Sequence, residues 1–186
     1  MNKKIKILTI SDHPLSPSGV GTQTRYIIEA MLKTGKFSFF SLGGAVKHND
    51  YRLQKTQEWG DDFIIMPVDG YGTQDLIRQL LQQVKPDILW FMTDPRFYGW
   101  LWEIEDEIRC KVPMIYYHVW DNKPYPKFNK PYYSSNDIVA TISKVTDDIV
   151  KNVAPEVSTY YVPHSVDMNV FKKMPEDQVA QFRKRV

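Results

Sequence analysis

Short, nearly unbroken apolar runs alternate along this chain with longer stretches in which apolar residues recur every three or four positions. The first pattern is that of strands buried on both faces, and the second is that of helices with one buried stripe. Residues 5–10 (IKILTI) read as a first strand. Residues 22–33 read as a helix with Tyr26, Ile27, Ala30 and Met31 along its inner face and Gly35 as its stop signal. A second strand is expected over 37–42, ending at Gly43-Gly44. The polar stretch 47–61 has no period and reads as a loop or irregular insertion. A third strand (63–68) precedes a helix over 73–84, capped by Thr73 and buried through Leu76, Ile77, Leu80, Leu81 and Val84.

Beyond the Lys85-Pro86 break, residues 87–92 read as a fourth strand. Asp94-Pro95 has the form of an N-cap followed by a first-turn proline, which predicts a helix to about Arg109. Strands are expected at 112–119 and 137–142. Ser143 then caps a helix over 144–153 with Val145, Ile149 and Val153 inward, and 159–162 forms a last short strand. Six to seven strands with interleaved helices and short connections predict an α/β fold: a Rossmann-like parallel sheet with helices on both faces. In the tail, Val179, Phe182 and Val186 fall at helical spacing. That apolar face calls for a partner, so we expect one Rossmann-like domain over 1–165 and, over 166–186, the start of a linker and helix leading to a second domain.

Composition narrows the function classes. With 186 residues the chain can bury a real core, and 42% apolar with 25% charged residues is ordinary for a globular protein. Twenty-four basic against 22 acidic residues leave a net charge of +2, which gives no electrostatic case for nucleic acid. The single cysteine, Cys110, excludes an internal disulfide framework and a cysteine-based zinc site, and a reducing cytoplasmic setting fits it best. The N-terminus lacks the apolar core and cleavage site of a signal peptide. No stretch approaches 18 apolar residues, so no transmembrane segment is expected, while peripheral membrane contact stays open.

In an open parallel sheet, ligands bind beyond the carboxyl ends of the strands. The loop SDHPLSPSGVGT lies there. Gly19 and Gly21 let the backbone approach a ligand, and the amides of Val20, Gly21 and Thr22 would form a helix N-terminus suited to phosphate or diphosphate. The alternative is that the glycines only shape a tight helix entry. A dinucleotide fingerprint is a poor fit, since Thr24 stands where its third glycine belongs and the second strand ends without an acidic residue. His118 ends the fifth expected strand on the same edge, as a hydrogen-bonding partner for a sugar hydroxyl or phosphate, a catalytic acid or base, or a buried histidine bonded to a carbonyl. Asp121 follows in a loop with Trp120, Tyr125 and Phe128, a combination of carboxylate and aromatic faces that suits a sugar as well as simple packing. His13 and His164 are weaker candidates. Four scattered histidines show no metal-ligand spacing, there is no D-x-D, and no hydrolase nucleophile motif occurs, so no metal site is expected.

Taken in order, Ser18-Gly19-Val20-Gly21, His118, Val139-Ala140-Thr141-Ile142-Ser143 and Val162-Pro163-His164-Ser165-Val166-Asp167 with Phe171 resemble the N-terminal half of retaining GT-B glycosyltransferases. These form the glycogen-synthase-like, group 1 superfamily. The resemblance spans about residues 5–172; it departs at His164-Ser165, where the family usually has Asn-Gly or His-Gly. It implies transfer of a sugar from a nucleotide-sugar donor to an acceptor, with retention at the anomeric carbon. It further implies no cofactor beyond that co-substrate, no metal, and a C-terminal donor-binding domain as partner. His118 would contact the transferred sugar, and the turn at Gly19–Thr22, with Asp121 and Ser143, would bind substrate. A stand-alone α/β module that binds a carbohydrate or phosphorylated ligand without turnover is the alternative.

Overall fold

The computed structural model describes residues 3–185. Eight strands form one sheet: β1 (Ile5–Asp12), β2 (Phe37–Gly44), β3 (Gln54–Lys55), β4 (Phe63–Pro67), β5 (Ile88–Met92), β6 (Met114–His118), β7 (Ile138–Thr141) and β8 (Thr159–Tyr161). Their spatial order is β3-β4-β2-β1-β5-β6-β7-β8. All neighbours run parallel except β3, which pairs antiparallel with β4 at the edge. The short β3 emerges from the polar stretch expected to be irregular, and it brings the count to eight.

Side-chain alternation along β1 assigns the two faces. Leu8 and Ile10 point into the larger core, with Leu89, Phe91, Met114, Tyr116 and Val139. Helices α2 (Gln74–Gln83), α3 (Gly99–Trp102), α4 (Glu105–Arg109), α5 (Lys130–Ser134) and α6 (Lys144–Val153) cover this face through Ile77, Leu101, Ile108, Tyr133 and Ile149, among others. On the opposite face Ile7 joins Phe39, Phe63 and Ile65 beneath Ile28 and Leu32 of α1 (Gly19–Leu32).

Three helical expectations need correction. Helix α1 starts three residues early, and its most buried positions are Gly21, Thr24, Ile28 and Leu32, whereas Ala30 is exposed and Tyr26, Ile27 and Met31 are half-buried. The stripe is displaced because α1 sits on polar ground: Thr24 Oγ1 lies 2.6 Å from Ser11 Oγ of β1. The helix expected from Asp94 to Arg109 is broken into a 3₁₀ turn (Pro95–Phe97), α3 and α4. Tyr98, Leu101, Ile104 and Ile108 of this broken stretch are all buried in the core. In α6, Val145 is exposed, and Thr146 and Val150 are buried beside Ile149 and Val153.

The capping expectations hold. Thr73 and Ser143 each accept an amide hydrogen bond from the third residue on, Leu76 and Thr146. A last helix, α7 (Glu176–Arg183), buries no residue. Val186 of its expected apolar face lies outside the described residues. The segment before α7 is anchored to α1, where Gln23 Nε2 donates to Ser165 O (2.6 Å) and Ser165 N donates to Gln23 Oε1 (3.2 Å).

At the end of β2 the backbone passes so close to the next loop that a side chain has no room. A Cβ on Gly44 would overlap the carbonyl oxygen of Gly70. At Gly19 a Cβ would meet nothing. Gly44→Ala is therefore expected to lower unfolding free energy by about 1–3 kcal/mol, and Gly19→Ala to leave it within about 0.5 kcal/mol, as surface changes do. Urea denaturation of the two variants checks this.

Candidate functional site

Parallel pairing brings Asp12 of β1, Gly44 of β2, Pro67 of β4, Met92 of β5, His118 of β6 and Thr141 of β7 to one edge of the sheet. The strand order reverses direction between β1 and β5, which creates the crevice where ligands of open α/β sheets bind.

The glycine turn after β1 lies at this crevice. Ser18 is the N-cap of α1: its Oγ accepts the Gly21 amide at 2.8 Å, and its carbonyl accepts the Thr22 amide at 2.9 Å. Two of the three amides expected to face a ligand are thus consumed in capping. Among the described residues, the amides of Gly19 and Val20 have no partner. The glycines differ in role. Gly19 is open, while a Cβ on Gly21 would lie 2.5 Å from His13 O and 2.8 Å from Ser16 Oγ. Gly21 thus locks the turn onto His13.

His13 is buried, and its Nδ1 accepts the Leu15 amide at 3.2 Å. Its ring leaves no room for a side chain on Gly43 and lies 5.5 Å from that of His48. Burial foremost, and the neighbouring His48, depress the His13 pKa. His48 Nε2 donates to Gly43 O at 2.9 Å.

From this point an open cleft of about 800 Å³ extends over the ends of β2 and β4, lined by Lys47, His48, Tyr51, Asp69, Tyr71 and Phe97, among others. Asp69 accepts the Tyr51 hydroxyl at 2.7 Å. The Tyr71 hydroxyl donates to Asp12 Oδ1 at 2.8 Å, and burial together with that carboxylate pushes the phenol up to about 12. The Tyr71 and Phe97 rings lie 5.3 Å apart, with Phe97 half exposed. Asp12 thereby fixes an aromatic wall of the cleft. Sequence reasoning missed this cleft, since its walls come from three separated segments. The signal available was D-G-Y-G at the end of β4, a tyrosine between two glycines.

His118 lies two strands from β1, roughly 10 Å at the usual strand spacing. It is fully buried between Tyr116 and Tyr133, with ring centroids 5.0 and 4.8 Å away. Its Nε2 lies 2.7 Å from Tyr133 Oη, while Nδ1 is buried with no hydrogen-bond partner among the described residues. Burial pushes its pKa down to about 3, against a smaller opposing pull from Asp94. A neutral ring with one bare polar nitrogen can recognise a ligand oxygen; it is poorly matched to proton transfer near neutral pH. Thr141 pairs with His118 across the sheet, and Ser143 follows it as the cap of α6, with its hydroxyl 2.9 Å from Thr146 Oγ1.

The remaining expected residues are not gathered at one point. Asp121 is exposed and makes no hydrogen bond among the described residues. Its loop is held to α6, where Asp148 accepts from Tyr125 (3.0 Å) and Lys123 (3.2 Å). His164 lies at the surface against Tyr117, 5.6 Å between ring centroids. Ser165 is not among the positive-φ residues, so its side chain meets no left-handed backbone strain there. Among the described residues no cluster of three or more His, Cys, Asp or Glu is suited to a metal ion, and no helix is long and apolar enough to cross a membrane.

The sheet order, the crevice and the helices on both faces define a Rossmann-like α/β fold. Solved structures share it. A trehalose-6-phosphate synthase from E. coli, bound with UDP-2-fluoro glucose, superposes with a TM-score of 0.58 at 11% identity, covering 97% of this chain and 54% of its own. A sucrose-phosphate synthase from Thermosynechococcus elongatus gives 0.62 at 10% identity, covering 98% of both chains. An apo OtsA structure gives 0.58 at 10% identity over 99% of this chain and 55% of its own. The chain thus spans about half the length of the two OtsA-type structures. No protein-family model and no curated sequence matches it.

Acid should expose the burial of His118. A group with a depressed folded pKa binds its proton more readily when unfolded, so its stabilising contribution is complete above pH 6.5 and is lost as pH falls toward the folded value. His118→Gln should therefore reduce the pH-dependence of unfolding free energy between pH 6 and 4.5 by up to about 1.4 kcal/mol per pH unit. Denaturant titrations across that window measure the slope independently of any constant loss of stability.

Proposed function

We propose that this chain is the acceptor-side half of a glycosyltransferase that moves a sugar from a nucleotide-sugar donor to an acceptor with retention and without a metal. The cleft beside the crevice carries this reading. It combines exposed aromatic faces at Tyr51 and Phe97 with the Asp69 carboxylate, at the strand ends where α/β sheets bind ligands. Aromatic rings stack on the apolar faces of a pyranose while a carboxylate accepts its hydroxyls, so a carbohydrate acceptor suits this surface. The E. coli structure with UDP-2-fluoro glucose makes UDP-glucose the first donor to test.

In this reading the acceptor occupies the cleft and the donor diphosphate approaches the amides of Gly19 and Val20 at the N-terminus of α1. There the helix dipole and two N–H groups offset charge on the leaving group. His118, neutral and sealed beneath the strand ends, shapes the floor of the sugar site, and Nδ1 reaches a sugar hydroxyl only if its cover opens on binding. A C-terminal domain would contribute the remaining donor contacts. A cytoplasmic setting agrees with the exposed, unpaired thiol of Cys110.

The test is transfer by the complete protein, using UDP-glucose and a panel of other nucleotide sugars with mono- and disaccharide acceptors. The expected product retains the donor's anomeric configuration by NMR, and its formation is unchanged by EDTA. Asp69→Asn combined with Phe97→Ala should raise the acceptor KM at least about tenfold, the loss expected for a hydrogen bond to a charged group, with the donor KM unchanged. Acceptor binding without turnover of any donor would instead make the chain a carbohydrate-binding module.

A further inference from the structure

His118 is neutral at physiological pH, so one ring nitrogen carries a proton and the other a lone pair. Which is which decides whether Nδ1 offers a hydrogen bond or accepts one. The groups that decide it lie on the segment after β6. Asn129 is buried, and its side-chain amide Nδ2 points at Tyr133 Oη, 3.3 Å away. The amide nitrogen has only hydrogens to give, so the Tyr133 oxygen accepts. Tyr133, fully buried, has one hydroxyl hydrogen, and its other close polar neighbour is His118 Nε2 at 2.7 Å. Burial raises the phenol's pKa to about 12, so that hydrogen stays in place and is available to donate.

We infer that Asn129 and Tyr133 act as positioning residues that hold His118 in the Nδ1–H tautomer. The amide donates to the phenol, the phenol donates to Nε2, and the ring's proton is left on Nδ1. That nitrogen is the one with no partner among the described residues, in a ring with no solvent exposure. Of the other groups acting on the ring, Tyr116 packs beside it with its hydroxyl committed to Thr93 O at 2.7 Å, and the Asp94 carboxylate, bound by Arg96, acts through its charge alone. A buried donor without a partner is costly, and an accepting oxygen recovers that energy. In this tautomer Nδ1 has a hydrogen to give and no lone pair, so it cannot serve as a base, and an external oxygen can accept from it only where the ring's cover opens. The functional meaning of this donor rests on the transferase reading; the tautomer does not.

Long-range nitrogen–proton NMR of the uniformly ¹⁵N-labelled chain tests it in the absence of any sugar, so a failed transfer assay and a failed tautomer assignment remain separate results. His118 is identified by contacts of its ring protons to Tyr116 and Tyr133. The expected spectrum has a protonated Nδ1 and a bare Nε2, unchanged from pH 5 to 8. Tyr133→Phe should give mixed tautomers, and Asn129→Asp at pH 8 should invert the relay and protonate Nε2. A protonated Nε2 in the parent chain overturns the assignment. So does an unchanged Nδ1–H pattern in a folded Tyr133→Phe or Asn129→Asp variant. Should either variant fail to fold, the parent spectrum alone decides.

Discussion

Parallel strands in one sheet end on the same side, and β1 here is paired along its length with β2 on one flank and over Ile7–Ile10 with β5 on the other. That double pairing fixes the register Ile10–Leu42 and Ile10–Phe91, and with it the heights of Asp12, Gly44 and Met92 at the sheet edge. Every candidate contact inherits its position from this arrangement. The glycine turn follows β1, the cleft opens beyond β2 and β4, and His118 ends β6. A one-residue slip of β1 would exchange Leu8 and Ile10 for Ile7 and Thr9 in the main core, a loss the fold could not absorb.

Close packing at the edge does the rest. His13 occupies space that a side chain on Gly43 would need, Gly70 presses on Gly44, and Gly21 closes on the His13 carbonyl. The glycine turn, the end of β2 and the cleft wall are therefore one packed unit. Tyr98 supports it from below, its buried hydroxyl placing one hydrogen between the carbonyls of Met92 (2.8 Å) and Ile10 (3.0 Å) where β5 and β1 finish.

Much of this architecture was legible because buried parallel strands and amphipathic helices announce themselves by period. IKILTI, the stripe from Leu76 to Leu81 and the caps Thr73 and Ser143 carry the fold in their spacing. The inner face of α1 was not legible, since two of its four buried positions are Gly21 and Thr24, which carry no apolar signal and bury through close approach and a hydroxyl pair. The break between Asp94 and Arg109 was not legible, because Tyr98, Leu101, Ile104 and Ile108 keep a helical spacing straight through it. At the site, the position of His118 followed from strand order, but its sealing did not, because Tyr133 and Asn129 reach it only after an aperiodic loop. The cleft was hidden for the same reason: Tyr51, Asp69 and Phe97 meet through topology, not through local pattern.

The reciprocal amide pair between Gln23 and Ser165 has a mechanical consequence. It fastens the outgoing chain to the second turn of α1, one turn from the amides of Gly19 and Val20. Turning the segment beyond Ser165 would strain that pair, so the tail and the first turns of α1 are mechanically linked through a single side chain.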